Sequence, residues 1–362
     1  MMLTAIVAIL IFALLVTVHE FGHFITAKLS HMYVEEFSIG MGPLLFSKRW
    51  GETRYSLRLL PLGGYVRVLG EDIQEEERKG IEQVNVPEER RYQNRPVWQR
   101  MIFAAAGSAM NVITAIVIFS VMFLILGVAV PIENPDTTIY AVAENGPAME
   151  AGLQPGDKIL SIDGQQVATW DELNELIIDA STSETLTVTA DRQGQQISVS
   201  VQPVLSEDGS RSLLGIYAQT AERQAVGPIK GLQLGCNATW QMTVAMVDVL
   251  GDLFTGKINI MDEEEGLTGP VGIVQIIDQS TKAGWVYVFN LAALLSINLA
   301  VINLLPIPSL DGSKLLFLLI EAIRGKAIDP MKEGYVNFIG FSLMMLLIIV
   351  VTYKDIVRLF TS

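Results

Sequence analysis

Hydrophobic positions along the chain fall into two kinds of run. Four are long and unbroken, at roughly Leu3–Lys28, Met101–Val130, Val286–Leu305 and Val336–Tyr353. Each supplies the about 20 helical residues that cross a bilayer, so each predicts a membrane-spanning helix. The other runs are short. Residues 37–69 lack helical periodicity, and Gly40, Gly42, Gly51, Gly63 and Gly64 punctuate stretches of alternating polarity such as Tyr55–Leu59 and Tyr65–Leu69. That alternation predicts β-hairpins around the turn RWGET. Non-helical backbone beside a membrane helix must be buried in protein or line a cavity.

Beyond the second span the pattern changes again. TTIYAVAENGPAMEAGLQPGDKILSIDGQQV predicts a strand, a short helix near Pro147–Ala151, a Pro-Gly-Asp turn and a second strand. TWDELNELIIDA predicts an amphipathic helix with Thr169 as its N-cap and acids in its first turn. TLTVTADRQGQQISVSVQPV predicts a hairpin. From about Asp136 to Gln219 this order of elements, with the run AGLQPGDKILSIDG, resembles a PDZ domain. Such a domain accepts a chain terminus or strand by edge addition. Residues 231–256 place Trp240, Met242, Met246 and Leu250 along one side of a helix, which predicts an amphipathic helix on the exoplasmic membrane face. The charged run at 71–91 reads as a solvated loop, MDEEEG ends the helix, and TGPVGIVQ leads toward the third span.

Composition agrees with a membrane protein carrying extramembrane parts. Half of the 362 residues are hydrophobic, yet 18% are charged. A net charge of −14 argues against a nucleic-acid partner. The single cysteine, Cys236, excludes an internal disulfide and a thiolate metal cage. The first span lacks a basic leader and a small-x-small cleavage site, so it is expected to be retained. Lys and Arg are concentrated between the first two spans and again before the fourth. By the positive-inside rule those loops are cytoplasmic, and both termini and the region after the second span are exoplasmic.

The first span also carries the chemistry. His19, Glu20 and His23 fall within five residues of an oily helix. An ionisable group near the bilayer centre costs roughly 2.5–3.5 kcal/mol even on lenient scales, and a bound metal ion would offset that. At about 100° per residue the two imidazoles lie about 40° apart, one turn above the other. H-E-x-x-H at this spacing suits two Zn²⁺ ligands, with the glutamate offset to act on water. Of the candidates for a third ligand, His31 lies two turns beyond His23, where the helix is leaving the membrane. Asp311 is the better choice. It ends an apolar span broken by Pro306 and Pro308, where an unpaired carboxylate is costly. Two His and one carboxylate leave an open position, as in catalytic zinc sites. A metal transporter would also place His and Asp in membrane helices, but needs neither the adjacent glutamate nor a PDZ-like insert.

HEFGH in the first span, the PDZ-like insert and NLLPIPSLDG together resemble the site-2 protease family, and among them the bacterial regulator-of-sigma proteases. The resemblance implies a multi-pass α-helical membrane protein of about four spans, with a membrane-associated β-hairpin region and one inserted PDZ-like α+β domain. It divides the chain into residues 1–130 (two spans and the hairpin), 131–225 (PDZ-like), 226–284 (surface helix and connector) and 285–362 (two spans and the LDG motif). It implies one Zn²⁺ held by His19, His23 and Asp311, with Glu20 as catalytic acid/base. Asn298 and Asn303 match the asparagines implied to hold substrate backbone, and Gly64, Tyr65 and Val66 lie on the hairpin edge implied to pair with it. LLGIY resembles the PDZ loop that receives a carboxylate, which makes Leu214, Gly215 and Ile216 candidates. The implied partners are the bilayer and membrane-anchored substrates, either anti-sigma factors or signal-peptide remnants. Those substrates would first be cut by a site-1-type protease. The implied location is a bacterial cytoplasmic membrane, with the active site toward the cytoplasm.

Overall fold

The computed structural model describes residues 2–71, 86–133, 135–180, 182, 184–206, 211–257 and 269–361. The MDEEEG run and most of the charged run at 71–91 lie outside them. The chain forms two compact units, one of Met1–Ile125 with Gly227–Ser362, the other of Leu126–Val226.

In the first unit, helix α1 (Met2–Leu29) is the first span. It ends in two reverse bonds, from Met32 N–H to Ala27 O at 2.9 Å and from His31 N–H to Lys28 O at 3.0 Å. His31 sits between them with φ +54°, in the left-handed conformation that closes a helix. Its role is to turn the chain.

Strands β1 (Val34–Trp50) and β2 (Thr53–Val68) then meet at the expected turn, where Gly51 has φ +62°. They do more than form one ladder. Phe37 faces both Val66 and Tyr55, Ser38 both Tyr65 and Ser56, and Ile39 both Gly64 and Leu57. The start of β1 therefore lies between two stretches of β2. Gly40, Gly42 and Gly63, all at positive φ, allow the doubling back. The stretch 64–68 is left with one edge outside the β1–β2 pairing. Ala27, Met32, Val34, Val68, Tyr92 and Phe103 pack as one buried cluster, which fastens this sheet to α1 and to α2 (Val97–Leu126), the second span.

The second unit is built as the sequence predicts for a PDZ-like domain. β3 (Val128–Pro131) is followed by β4 (Ala141–Val142), α3 (Pro147–Glu150), β5 (Lys158–Ile162) and β6 (Gln165–Gln166). Then come α4 (Trp170–Asp179), β7 (Leu186–Arg192), β8 (Gln195–Val201), β9 (Val204–Leu205), β10 (Ser212–Leu213), β11 (Ile216–Tyr217) and β12 (Ala221–Gln224). The main sheet runs β6-β5-β7-β8, β11 pairs with β4, and β12 pairs with β3. Thr169 caps α4 and exchanges hydrogen bonds with Glu172 in a capping box. Ile159, Leu173, Val188 and Leu214 sit in a core of the unit's own.

Returning to the first unit, α5 (Pro228–Phe254) corrects an expectation. It does not lie across the ends of the spans but runs back along them. A Cβ on Gly231 would meet Leu124 Cγ at 3.0 Å, and one on Gly235 would meet Ser120 N at 2.8 Å. One turn further on, Ala238 and Met242 pack on Ala115, Phe119, Ala293 and Ile297. Each step of four along α5 is a step of about four backwards along α2, and small residues allow the two backbones to approach. α6 (Pro270–Ala283) follows, its first turn held by Asp355, which accepts from Gly272 N–H at 2.8 Å. α7 (Trp285–Leu304) is the third span. α8 (Asp311–Arg324) was not anticipated, and α9 (Pro330–Thr361) contains the fourth span, Pro330–Val357.

Candidate active site

α1 places His19 and His23 one turn apart, both buried. α7 cannot continue through Pro306 and Pro308, so the chain breaks there, turns at Ser309 (φ +74°) and restarts at Asp311, the first residue of α8. Gly312 is required at this break, because a Cβ would overlap the carbonyls of Leu304 and Leu305. α9 holds the turn. Ser309 N–H donates to Asn337 Oδ1 at 3.1 Å and Ser309 Oγ to the Asn337 carbonyl at 2.7 Å. Pro308 fits only because residue 340 is glycine, where a Cβ would meet Pro308 Cγ at 2.8 Å.

The result is a convergence of three electron-rich atoms. Asp311 Oδ2 lies 3.1 Å from His19 Nε2 and 3.3 Å from His23 Nε2, and the two nitrogens are 3.3 Å apart. His23 Nδ1 is 2.8 Å from the Phe103 carbonyl, which can only accept. That nitrogen therefore carries the ring proton, and the lone pair of Nε2 points at the other two atoms. Asp311 Oδ2 is buried without a hydrogen-bond donor. Lone pairs crowded in this way are stable around a cation. One atom from each of His19, His23 and Asp311 lies within 4.8 Å of the others, so the set could hold a metal ion. The donor types are those of zinc, and they leave room for a fourth ligand.

Glu20 follows His19 on the helix, and its side chain runs beside the sheet: a Cβ on Gly64 would lie 3.2 Å from Glu20 Cγ. Gly64, one of the sequence-implied edge residues, is thus next to the sequence-implied base. Tyr65 accepts from Arg58 Nη2 at 2.7 Å, Val66 packs on the buried cluster at the foot of α1, and both line a cavity of about 960 Å³ with Arg67, Val68, Lys314 and Glu333. Across that cavity the part-buried ion pair of Lys314 with Glu71 ties α8 to the residues just after β2. Asn298 lies on α7 with Oδ1 buried and unpaired, and Asn303 lies half-buried near the end of the same helix. Leu214, Gly215 and Ile216 lie in the other unit. Leu214 is buried, its carbonyl accepts from Ala148 N–H at 3.0 Å, and Gly215 takes φ +73°.

Sequence reasoning passed over the second span's part in this site. A Cβ on Gly107 would lie 2.6 Å from His19 Nε2, so this glycine lets α2 press against the imidazoles. One turn on, Asn111 is fully buried beside His19. The available signal was a glycine and an asparagine four apart within an oily run.

A family model described as Peptidase family M50 matches residues 7–347. The chain belongs to that family. This M50 peptidase is 35% identical over 427 aligned residues to the regulator of sigma-W protease RasP of Bacillus subtilis, covering 99% of each chain. It is 35% identical over 352 residues to a putative zinc metalloprotease of Clostridium acetobutylicum, covering 97% of each. Among solved structures, the PDZ domain of an SdrC-like protein from Listeria innocua covers 25% of this chain and 99% of its own, with 22% identity and a TM-score of 0.22. As an M50 peptidase the protein is a zinc metalloendopeptidase. Its four candidate spans make it a membrane protein.

Proposed function

We propose that this M50 peptidase cleaves peptide bonds within membrane-anchored, single-span proteins, using His19, His23 and Asp311 to hold zinc and Glu20 as acid and base. The observation that carries this reading is the convergence of the two Nε2 atoms on Asp311 Oδ2 beside Glu20 and the hairpin edge. Bound zinc supplies a Lewis acid that polarises the scissile carbonyl and activates water. Glu20 takes a proton from the attacking water and delivers it to the departing amine, so the C–N bond breaks without a free amide anion. A transmembrane helix protects its peptide bonds with its own hydrogen bonds, and the substrate must be unwound. The open edge at 64–68, with the cavity beside it, offers partners to the amides so exposed. Asn298 Oδ1, buried and unpaired, supports a role for Asn298 and Asn303 in holding the same backbone.

The regulator-of-sigma relative favours membrane-anchored anti-sigma factors as substrates, with signal-peptide remnants the second class. In this reading a first protease trims the exoplasmic side and the PDZ-like unit, with its Leu214–Ile216 loop, screens what remains. The lysine and arginine distribution supports a cytoplasmic hairpin side and a PDZ-like unit outside the cell.

The assignment is tested with three variants of the full-length enzyme. Glu20→Gln is expected to keep stoichiometric zinc while cleavage falls by about 10²–10⁴-fold, the range for loss of a general base. His23→Ala and Asp311→Ala are expected to lose zinc as well. Stoichiometric zinc in both of the latter would overturn the ligand set.

A further inference from the structure

Asn111 stands beside the His19 ring, yet the orientation of its amide leaves two groups mismatched. The residue is fully buried on α2, with Nδ2 3.3 Å from His19 Nδ1 and Oδ1 buried without any partner. Both imidazoles turn Nε2 toward Asp311 and Nδ1 away from it. For His23 the outward nitrogen meets the Phe103 carbonyl, an obligate acceptor. For His19 the outward nitrogen meets Nδ2, an obligate donor. If His19 gives its Nε2 lone pair to a cation, Nδ1 bears the ring proton, and two donors then face each other beside a fully buried side chain. A half-turn of the asparagine amide exchanges Oδ1 and Nδ2, removes that clash and gives the orphaned oxygen its hydrogen bond at one stroke.

We propose that Asn111 is a positioning residue of the metal site: its Oδ1 accepts from His19 Nδ1–H, and this fixes the His19 tautomer and ring orientation. The inference rests on the reading of His19 as a zinc ligand. The surroundings hold Asn111 in register for this task. Its carbonyl accepts from Ser296 Oγ on α7 at 2.8 Å, which pins α2 to the third span at this level. Gly107, one turn earlier, lets α2 come close enough for a side chain as short as asparagine to reach the ring. The two histidines are thereby oriented by different means, one by the main chain of α2 and the other by a side chain. Only the second can be altered by substitution. An acceptor at this position removes the rotational freedom that zinc binding would otherwise have to freeze.

The test uses the full-length enzyme in detergent and reads zinc affinity against a competing chelator, together with thermal unfolding of the metal-free protein. Asn111→Leu keeps the size and removes the acceptor. It is expected to weaken zinc binding by roughly 10–100-fold, the usual effect of losing such a partner, while the metal-free unfolding midpoint stays near wild type. Asn111→Asp restores an acceptor and is expected to bind zinc at least as tightly as wild type. Zinc affinity of Asn111→Leu within about threefold of wild type overturns the proposal, and so does equal weakening in the leucine and aspartate variants, which would mark a packing role only. His19→Ala, run in parallel, separates the premises. If it too retains zinc, the ligand assignment has failed. If it loses zinc while Asn111→Leu does not, only the positioning role has failed. Should Asn111→Leu not fold, nitrogen-15 histidine spectra of the zinc-loaded wild type decide: a His19 ring protonated at Nδ1 is expected, and metal on Nδ1 overturns the proposal.

Discussion

Asp157 shows how a single residue of the PDZ-like unit ties stability to pH. Its side chain is 1% exposed, and it receives Arg192 through Nε–H to Oδ1 and Nη2–H to Oδ2, both at 2.7 Å. That fork, with Gln154 N–H as a further donor, holds the carboxyl below the usual aspartate range. A depressed folded-state pKa stabilises the fold above the unfolded value of about 3.9, and the contribution is lost as pH falls through the folded value. The unit is therefore expected to become sensitive to pepsin as pH drops below about 4. Asp157→Asn should be sensitive already at the upper end of that range and show a flatter pH response. An unchanged pH response in the variant would remove Asp157 as the cause. At this scale the sequence was informative wherever a residue is expensive to bury. His19, Glu20, His23 and Asp311 stand out because nothing but chemistry explains their place in an apolar run. Gly107 and Asn111 did not, because glycine is ordinary in membrane helices and asparagine serves often as mere interhelical glue. Only the distances to the two rings give them a role.

At the scale of elements, the doubled sheet is the least conventional part. Residues in a strand point their N–H and C=O groups to alternate sides, so one of Tyr65 and Val66 presents its amide to β1 and the other to the open edge. Proline at the outward position removes a donor that strand addition requires, without altering any zinc ligand. Tyr65→Pro and Val66→Pro are each to be assayed for cleavage and for zinc. For the outward residue, cleavage is expected to fall about tenfold or more, the upper scale of one hydrogen bond, with zinc content unchanged. Full cleavage by both variants would take the edge out of the mechanism. Alternating polarity and the RWGET turn made the hairpin legible. The pairing of 36–39 with two stretches at once was not, since local periodicity says nothing of which distant strand comes alongside. α5 shows the converse. Its hydrophobic side suggested a helix lying on the bilayer, whereas Gly231 and Gly235, four apart, let it approach α2 closely. α8 is hard to foresee because it opens directly on the LDG motif, two residues after a proline-broken turn.

At the scale of the whole molecule, charge asymmetry gives orientation a direct test. Ser47, exposed on β1, and Ser206, in the PDZ-like unit, can each be changed to cysteine in a Cys236→Ser background. A membrane-impermeant thiol reagent added outside intact cells is expected to label the position 206 variant and spare the position 47 variant. Labelling of both would reverse the proposed sidedness. The four spans, the inserted unit and the cluster proposed to hold zinc were all readable as patterns, because bilayer thickness, turn chemistry and metal geometry each impose their own spacing. The pairing of β3 with β12 brings Val128 opposite Gln224 and Pro131 opposite Ala221, so the chain enters and leaves the second unit through a single two-stranded neck. The described residues between those strands pack around a core of their own. The contents of this unit can be lengthened, duplicated or exchanged through evolution, or by an engineer retargeting the peptidase, while the helices that carry His19 and Asp311 keep the same connections.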